Sequence, residues 1–117
     1  MGDATPDPAT AALEAIRALS AGYLASLPGK VDDIERAWAQ LAGFGWDVEA
    51  ARDLHRAIHS VSGSARVFGL PAVGEAARRV EHLLAPLLER AERPDDEAVA
   101  TVTLGIREFR NTSASAT

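Results

Sequence analysis

The sequence contains no cysteine, which excludes disulfide bridges and thiolate metal centres and removes any need for an oxidising compartment. Aromatic residues are scarce, at 5%, and scarcity of that kind beside abundant Ala and Leu disfavours a β-sandwich or barrel. No apolar run approaches the roughly 18 residues that a membrane-crossing helix needs. The opening residues MGDATPDPATAALEAI show no basic segment followed by a long apolar one, so no secretory signal is read there. The formal net charge of −5 lacks the basic excess that a phosphate backbone attracts, which argues against nucleic acid as the main partner. These absences set the expectation of a cytoplasmic domain with no membrane and no nucleic-acid partner.

What is present is a chain of 117 residues, 47% of them hydrophobic, suited to one domain with a proper core. Residues 1–7 are polar and read as a flexible start. Asp7 with Pro8 behind it is a helix-opening pair, a capping carboxylate followed by proline at the first helical position. Leu13, Ile16, Tyr23, Leu24 and Leu27 then keep helical spacing up to Pro28-Gly29, which predicts a break or a kink. Val31, Ile34, Trp38 and Leu41 resume the pattern until Gly43-Phe44-Gly45 ends it. The segment before Pro28 is thus either an added N-terminal helix or the first half of a kinked one.

Asp47 is placed to cap a following helix whose apolar residues are Leu54, Ile58, Val61, Ala65 and Phe68, with Gly69 as its stop. Pro71 opens another, carrying Val73, Ala77, Val80, Leu84 and Leu87, with Pro86 expected to kink it. Pro94-Asp95-Asp96-Glu97 begins the last, striped by Val99, Val102, Ile106 and Phe109. The small polar residues 111–117 read as a flexible tail. No stretch reads as a strand, so the fold expected is an all-α antiparallel four-helix bundle over residues 8–110.

Chemistry concentrates on the helix after Asp47. At about 100° per residue, His59 lies roughly 140° from the centre of the apolar stripe, on the face expected to meet water. Arg52, His55, Arg56, Ser62, Gly63 and Arg66 are expected on the same side. A neutral imidazole is a competent nucleophile near pH 7. Arginines beside it would offset the charge of a phosphoryl group resting there. Gly63 weakens the helix by about 1 kcal/mol relative to Ala and leaves room for a bulky partner. The plainer alternative is a solvated histidine, with Gly63 present for close helix packing. His55 and His59, four residues apart, form half of a metal site at most, with no third ligand evident. No metal is expected. His82 reads as a packed or boundary residue, and Trp38 and Trp46 as packing residues.

Residues 59–69, His-Ser-Val-Ser-Gly-Ser-Ala-Arg-Val-Phe-Gly, resemble the signature of histidine-containing phosphotransfer domains. His59, Val61, Gly63, Ser64 and Ala65 match, and Phe68-Gly69-Leu70 with the run Glu81-His82-Leu83-Leu84 continues the likeness over residues 52–92. One residue departs: the lysine usual three positions after the histidine is Ser62 here. The resemblance implies a phosphocarrier of a two-component phosphorelay, with His59 accepting a phosphoryl group from a receiver-domain aspartate and passing it to another. It implies Ser62, Gly63, Arg66, Arg56 and His55 as flanking residues, with Arg66 or Arg56 supplying the positive charge that the lysine would have given.

Docking of the partner is expected around Arg52, Gly63 and Val67. The partners implied are receiver domains of response regulators and a hybrid histidine kinase. No cofactor is expected on this chain, because the receiver brings its own Mg²⁺. No Gly-rich nucleotide loop is present, so no ATP-dependent kinase activity is expected. The chain is expected to be monomeric. Two alternatives stay open beside the carrier: the phosphorylated domain of a chemotaxis-type kinase, and a module that docks receivers without carrying phosphate.

Overall fold

A computed structural model describes residues 7–43 and 45–117. Four helices form an antiparallel bundle: α1 (Pro8–Gly43), α2 (Val48–Val67), α3 (Pro71–Leu84) and α4 (Asp96–Ala116), with a 3₁₀ turn at Ala85–Leu87 after α3. No strand occurs among the described residues. The flexible start expected at residues 1–7 lies outside them, except for Asp7.

The apolar stripes read from the sequence become the core. Leu27, Val31, Ile34, Trp38 and Leu41 of α1 pack with Leu54, Ile58, Val61 and Ala65 of α2. Val73, Ala77, Val80 and Leu84 of α3 and Val102, Ile106 and Phe109 of α4 complete it. Trp38 is buried with its indole N–H donating to Thr103 Oγ1 at 2.9 Å, and Trp46 donates to the Arg90 carbonyl at 2.8 Å. Both indoles therefore act in packing, the buried Trp38 and the half-buried Trp46 each with a partner for its N–H.

Local signals fix where the helices begin and end. Asp47 accepts from the Glu49 N–H at 3.0 Å, and Asp95 accepts from the Ala98 N–H at 2.8 Å. At the end of α2, Gly69 takes φ +82°, the Leu70 N–H reaches the Ala65 carbonyl at 2.8 Å and the Gly69 N–H reaches Arg66 at 3.3 Å. That paired closure requires a left-handed residue, which glycine adopts without a Cβ clash. Pro71 then occupies the first turn of α3, where a missing N–H does no harm.

Three expectations are corrected. Pro28 does not end α1, which runs unbroken from Pro8 to Gly43, so the segment before Pro28 is the first part of one long helix and not an added helix. The half of α1 before Tyr23 extends past the bundle, leaving Leu13 and Ile16 each 55% exposed. Pro86 does not kink a longer helix; α3 ends at Leu84 and the chain tightens into the 3₁₀ turn that holds the proline. Residues 111–116 are not a loose tail but the last turns of α4, with Ser113 buried as the next member of the stripe through Phe109. This end of α4 lies beside Leu27 and Pro28 of α1, with a small pocket between them.

Candidate functional site

Helix α2 is held in one rotation by its buried residues. Ile58, fully buried, faces the core, and the next residue is thereby turned outward. The His59 side chain is 71% exposed. Its Nδ1 lies 2.6 Å from Oε1 of Glu81, whose own side chain is only 15% exposed. Glu81 belongs to α3, between the buried Val80 and Leu84, so the core packing of α3 aims its carboxylate at the α2–α3 seam. The later residue of α2, Arg66, meets the earlier residue of α3, Glu75, at 3.3 Å, which gives the antiparallel sense of the pair.

The arrangement has a chemical consequence. A carboxylate accepts and does not donate, so Nδ1 must carry the imidazole proton in this contact. In the neutral ring Nε2 is then left with its lone pair, directed away from Glu81 on an exposed side chain. One nitrogen is held, and the other is free to react.

The residues expected around His59 are not all brought to it. Gly63 lies one turn further along on the open face, and a Cβ built there meets nothing within 4 Å. Close helix packing therefore does not explain this glycine. The glycine that does serve packing is Gly74 of α3, where a Cβ would come within 2.8 Å of Arg66 Cγ and 3.0 Å of the Ser62 carbonyl. Ser62, expected on the solvent face, is 8% exposed in this seam. His55, expected beside His59 in water, is half-buried, and its Nε2 is enclosed without a partner among the described residues. Both corrections share one cause. A bundle helix is covered by two neighbours, and α3 extends the buried arc beyond the stripe that hydrophobic periodicity reveals. His82, by contrast, is exposed instead of at the core boundary.

The arginines are present but engaged. Arg52 pairs with Glu49 at 3.5 Å, Arg56 with Asp53, and Arg66 with Glu75 at 3.3 Å. The α2 arginines near His59 are thus compensated pairs, not the bare cationic patch expected. Val67 is 77% exposed and available to a partner. Beside this face, α1 and α2 leave an open groove of about 460 Å³ lined by residues that include Ile34, Ala37, Leu54, Ala57 and Val61.

Sequence reasoning assigned Glu81 no role of its own. A signal for it exists: Glu81 lies four residues after Ala77 and three before Leu84, an acid in line with an apolar stripe. What periodicity does not show is which helix that acid faces.

The family model of the Hpt domain matches residues 18–112. The chain is a member of the Hpt domain family. Hpt domains act as histidine phosphocarriers in phosphorelays and interact with receiver domains. Comparison with curated proteins and with solved structures returned no match. Helix α1 begins ten residues before the matched region. Among the described residues, no helix is long and apolar enough to cross a membrane, and no three potential metal ligands converge.

Proposed function

We propose that this Hpt domain carries its phosphoryl group on Nε2 of His59, taken from the aspartyl phosphate of one receiver domain and given to the aspartate of another. The observation that carries the reading is the pairing of an exposed imidazole with the sheltered Glu81 carboxylate at 2.6 Å. In the forward step the Nε2 lone pair attacks phosphorus. The N–P bond forms as the bond from phosphorus to the donor's carboxylate oxygen breaks, and the electron pair leaves on that carboxylate. The imidazole becomes a phosphoimidazolium still protonated at Nδ1, and Glu81 offsets the new positive charge. The return step is the reverse on a second receiver.

No residue need take up or release a proton during transfer, which suits a carrier that must give the group back. Mg²⁺ is supplied by the receiver, and this chain contributes no cofactor and no nucleotide-binding loop of its own. Open space over Gly63 admits the receiver's phosphorylated pocket, and Val67 offers apolar contact. The donor in this reading is the receiver of a hybrid histidine kinase, and the chain works as a cytoplasmic monomer.

The test is phosphoryl transfer from a panel of phosphorylated receivers to the wild type, His59→Gln and Glu81→Gln. Label on the wild type, none on His59→Gln, and transfer slowed by about tenfold or more in Glu81→Gln are expected, the last being the loss of one charge-assisted hydrogen bond. Receivers that bind the wild type yet never label it would establish a docking module in place of a carrier.

A further inference from the structure

A phosphoryl group on His59 brings roughly two negative charges to a point already flanked by the Glu81 carboxylate. A cation must meet it, or the charged state is disfavoured. The arginines of α2 are poorly placed for this task. Arg56 is tied to Asp53, and Arg52 to Glu49 one turn further back. Arg66 lies with its Cγ over Gly74 and its guanidinium on Glu75, two turns from His59.

Helix α3 carries a different candidate. Gly74 and Glu81 both touch α2, the first at Ser62 and Arg66, the second at His59. They are seven residues apart, about 20° from alignment on a helix, so they mark the stripe of α3 that faces the seam. Arg78 stands between them, about 40° round the helix from Gly74 toward solvent and about 4.5 Å along the axis from Glu81. In an antiparallel pair with Glu81 at His59 and Gly74 at Ser62 and Arg66, this sets Arg78 level with Ser62, one turn along α2 from His59. It is exposed, and it forms no ion pair among the described residues. Its neighbour Arg79 is by contrast drawn to α4 by Glu108 at 2.9 Å. A planar guanidinium on a long stem reaches a phosphoryl dianion with two parallel N–H donors.

We propose that Arg78 of α3 is the residue that receives the phosphoryl group on His59, with Glu81 holding the imidazole from one side and Arg78 the phosphoryl oxygens from the other. The proposal rests on the reading of His59 as the carrier. It makes the site a product of two helices: nucleophile from α2, orienting acid and countercharge from consecutive turns of α3.

The experiment measures the equilibrium of phosphoryl transfer between a phosphorylated receiver and the full chain, for the wild type, Arg78→Gln, Arg78→Lys and Arg107→Ala. Arg107 is an exposed arginine of α4 that serves as the control for loss of one positive charge. Arg78→Gln is expected to shift the equilibrium away from His59 by about tenfold or more, the scale of one charge-assisted hydrogen bond, with partial recovery in Arg78→Lys. Arg107→Ala is expected to match the wild type. The arginine side-chain N–H signal of Arg78 in ¹⁵N-labelled protein should move on phosphorylation. Unchanged circular dichroism of Arg78→Gln separates the effect from misfolding. If the wild type is labelled and Arg78→Gln behaves as Arg107→Ala does, the assignment of Arg78 is overturned while the carrier stands. If the wild type itself takes no label on His59, the carrier reading fails and Arg78 falls with it.

Discussion

At the scale of single residues, the proposed site rests on two side chains of opposite exposure and on one missing side chain. His59 must be open to a second protein, and Glu81 must be sheltered enough for its hydrogen bond to persist against competing water. Gly63 is the missing side chain. Nothing lies within 4 Å of a Cβ built there, so an added methyl is tolerated by the fold. Gly63→Ala is expected to raise unfolding stability by about 0.5–1 kcal/mol, because glycine costs a helix backbone entropy. The larger Gly63→Gln is expected to keep the fold and slow transfer by obstructing the receiver. Denaturant unfolding beside a transfer assay checks both. A stability loss in Gly63→Ala would contradict the open-space account of this position.

At the scale of the helices, the bundle was legible wherever a periodic stripe, a capping carboxylate or a glycine stop was present. Asp47, Gly69 with Pro71, and Asp95 mark boundaries that the structure keeps. Proline was the less readable signal. Pro28 lies inside a continuous helix because packing on both sides, with Leu27 and Val31 buried, outweighs one lost hydrogen bond. The end of α4 was hidden for a different reason, since Ser and Ala carry no hydrophobic signature even where Ser113 is buried.

The site was legible as far as one helix reaches. His59 and Gly63 follow from the wheel of α2, but Glu81, Ser62 and His55 depend on how α3 lies against it. Pairing between helices leaves no trace in the periodicity of either. The stripe on α1 also overstates the core, since it runs on through Leu13 and Ile16 where no neighbour covers it. Leu27→Ala is therefore expected to lower stability by about 2–5 kcal/mol, and Leu13→Ala to stay within about 0.5 kcal/mol. Chemical denaturation of the two variants reads the difference directly. Equal losses would show that the start of α1 is packed.

At the scale of the whole molecule, the fold is an elongated bundle, 71 × 25 × 20 Å, with the proposed site on one side of the α2–α3 pair. Net charge is −5, and the α2 arginines of the proposed docking face, Arg52, Arg56 and Arg66, are each balanced by a carboxylate. Such exposed pairs are weak and screened by salt, so they hold the arginines without fixing them. Removing the balancing acids should therefore expose a cationic face to an acidic partner. The double variant Asp53→Asn, Glu75→Gln is expected to associate with a receiver several-fold faster at low ionic strength, the gain fading as salt is raised. Stopped-flow association at two salt concentrations measures it, and an unchanged rate at low salt would place docking elsewhere.

The central claim is that phosphate rests on Nε2 of His59, because Glu81 occupies the other nitrogen. The most direct measurement is phosphorus–proton correlation by NMR on the chain after transfer from a phosphorylated receiver. A phosphorus on Nε2 has a protonated ring carbon on each side and couples to both Hδ2 and Hε1. A phosphorus on Nδ1 has only one such neighbour and couples to Hε1. Correlations to both ring protons of His59, absent in His59→Gln, are the result this account requires. A signal coupled to Hε1 alone, or to another histidine, would contradict it.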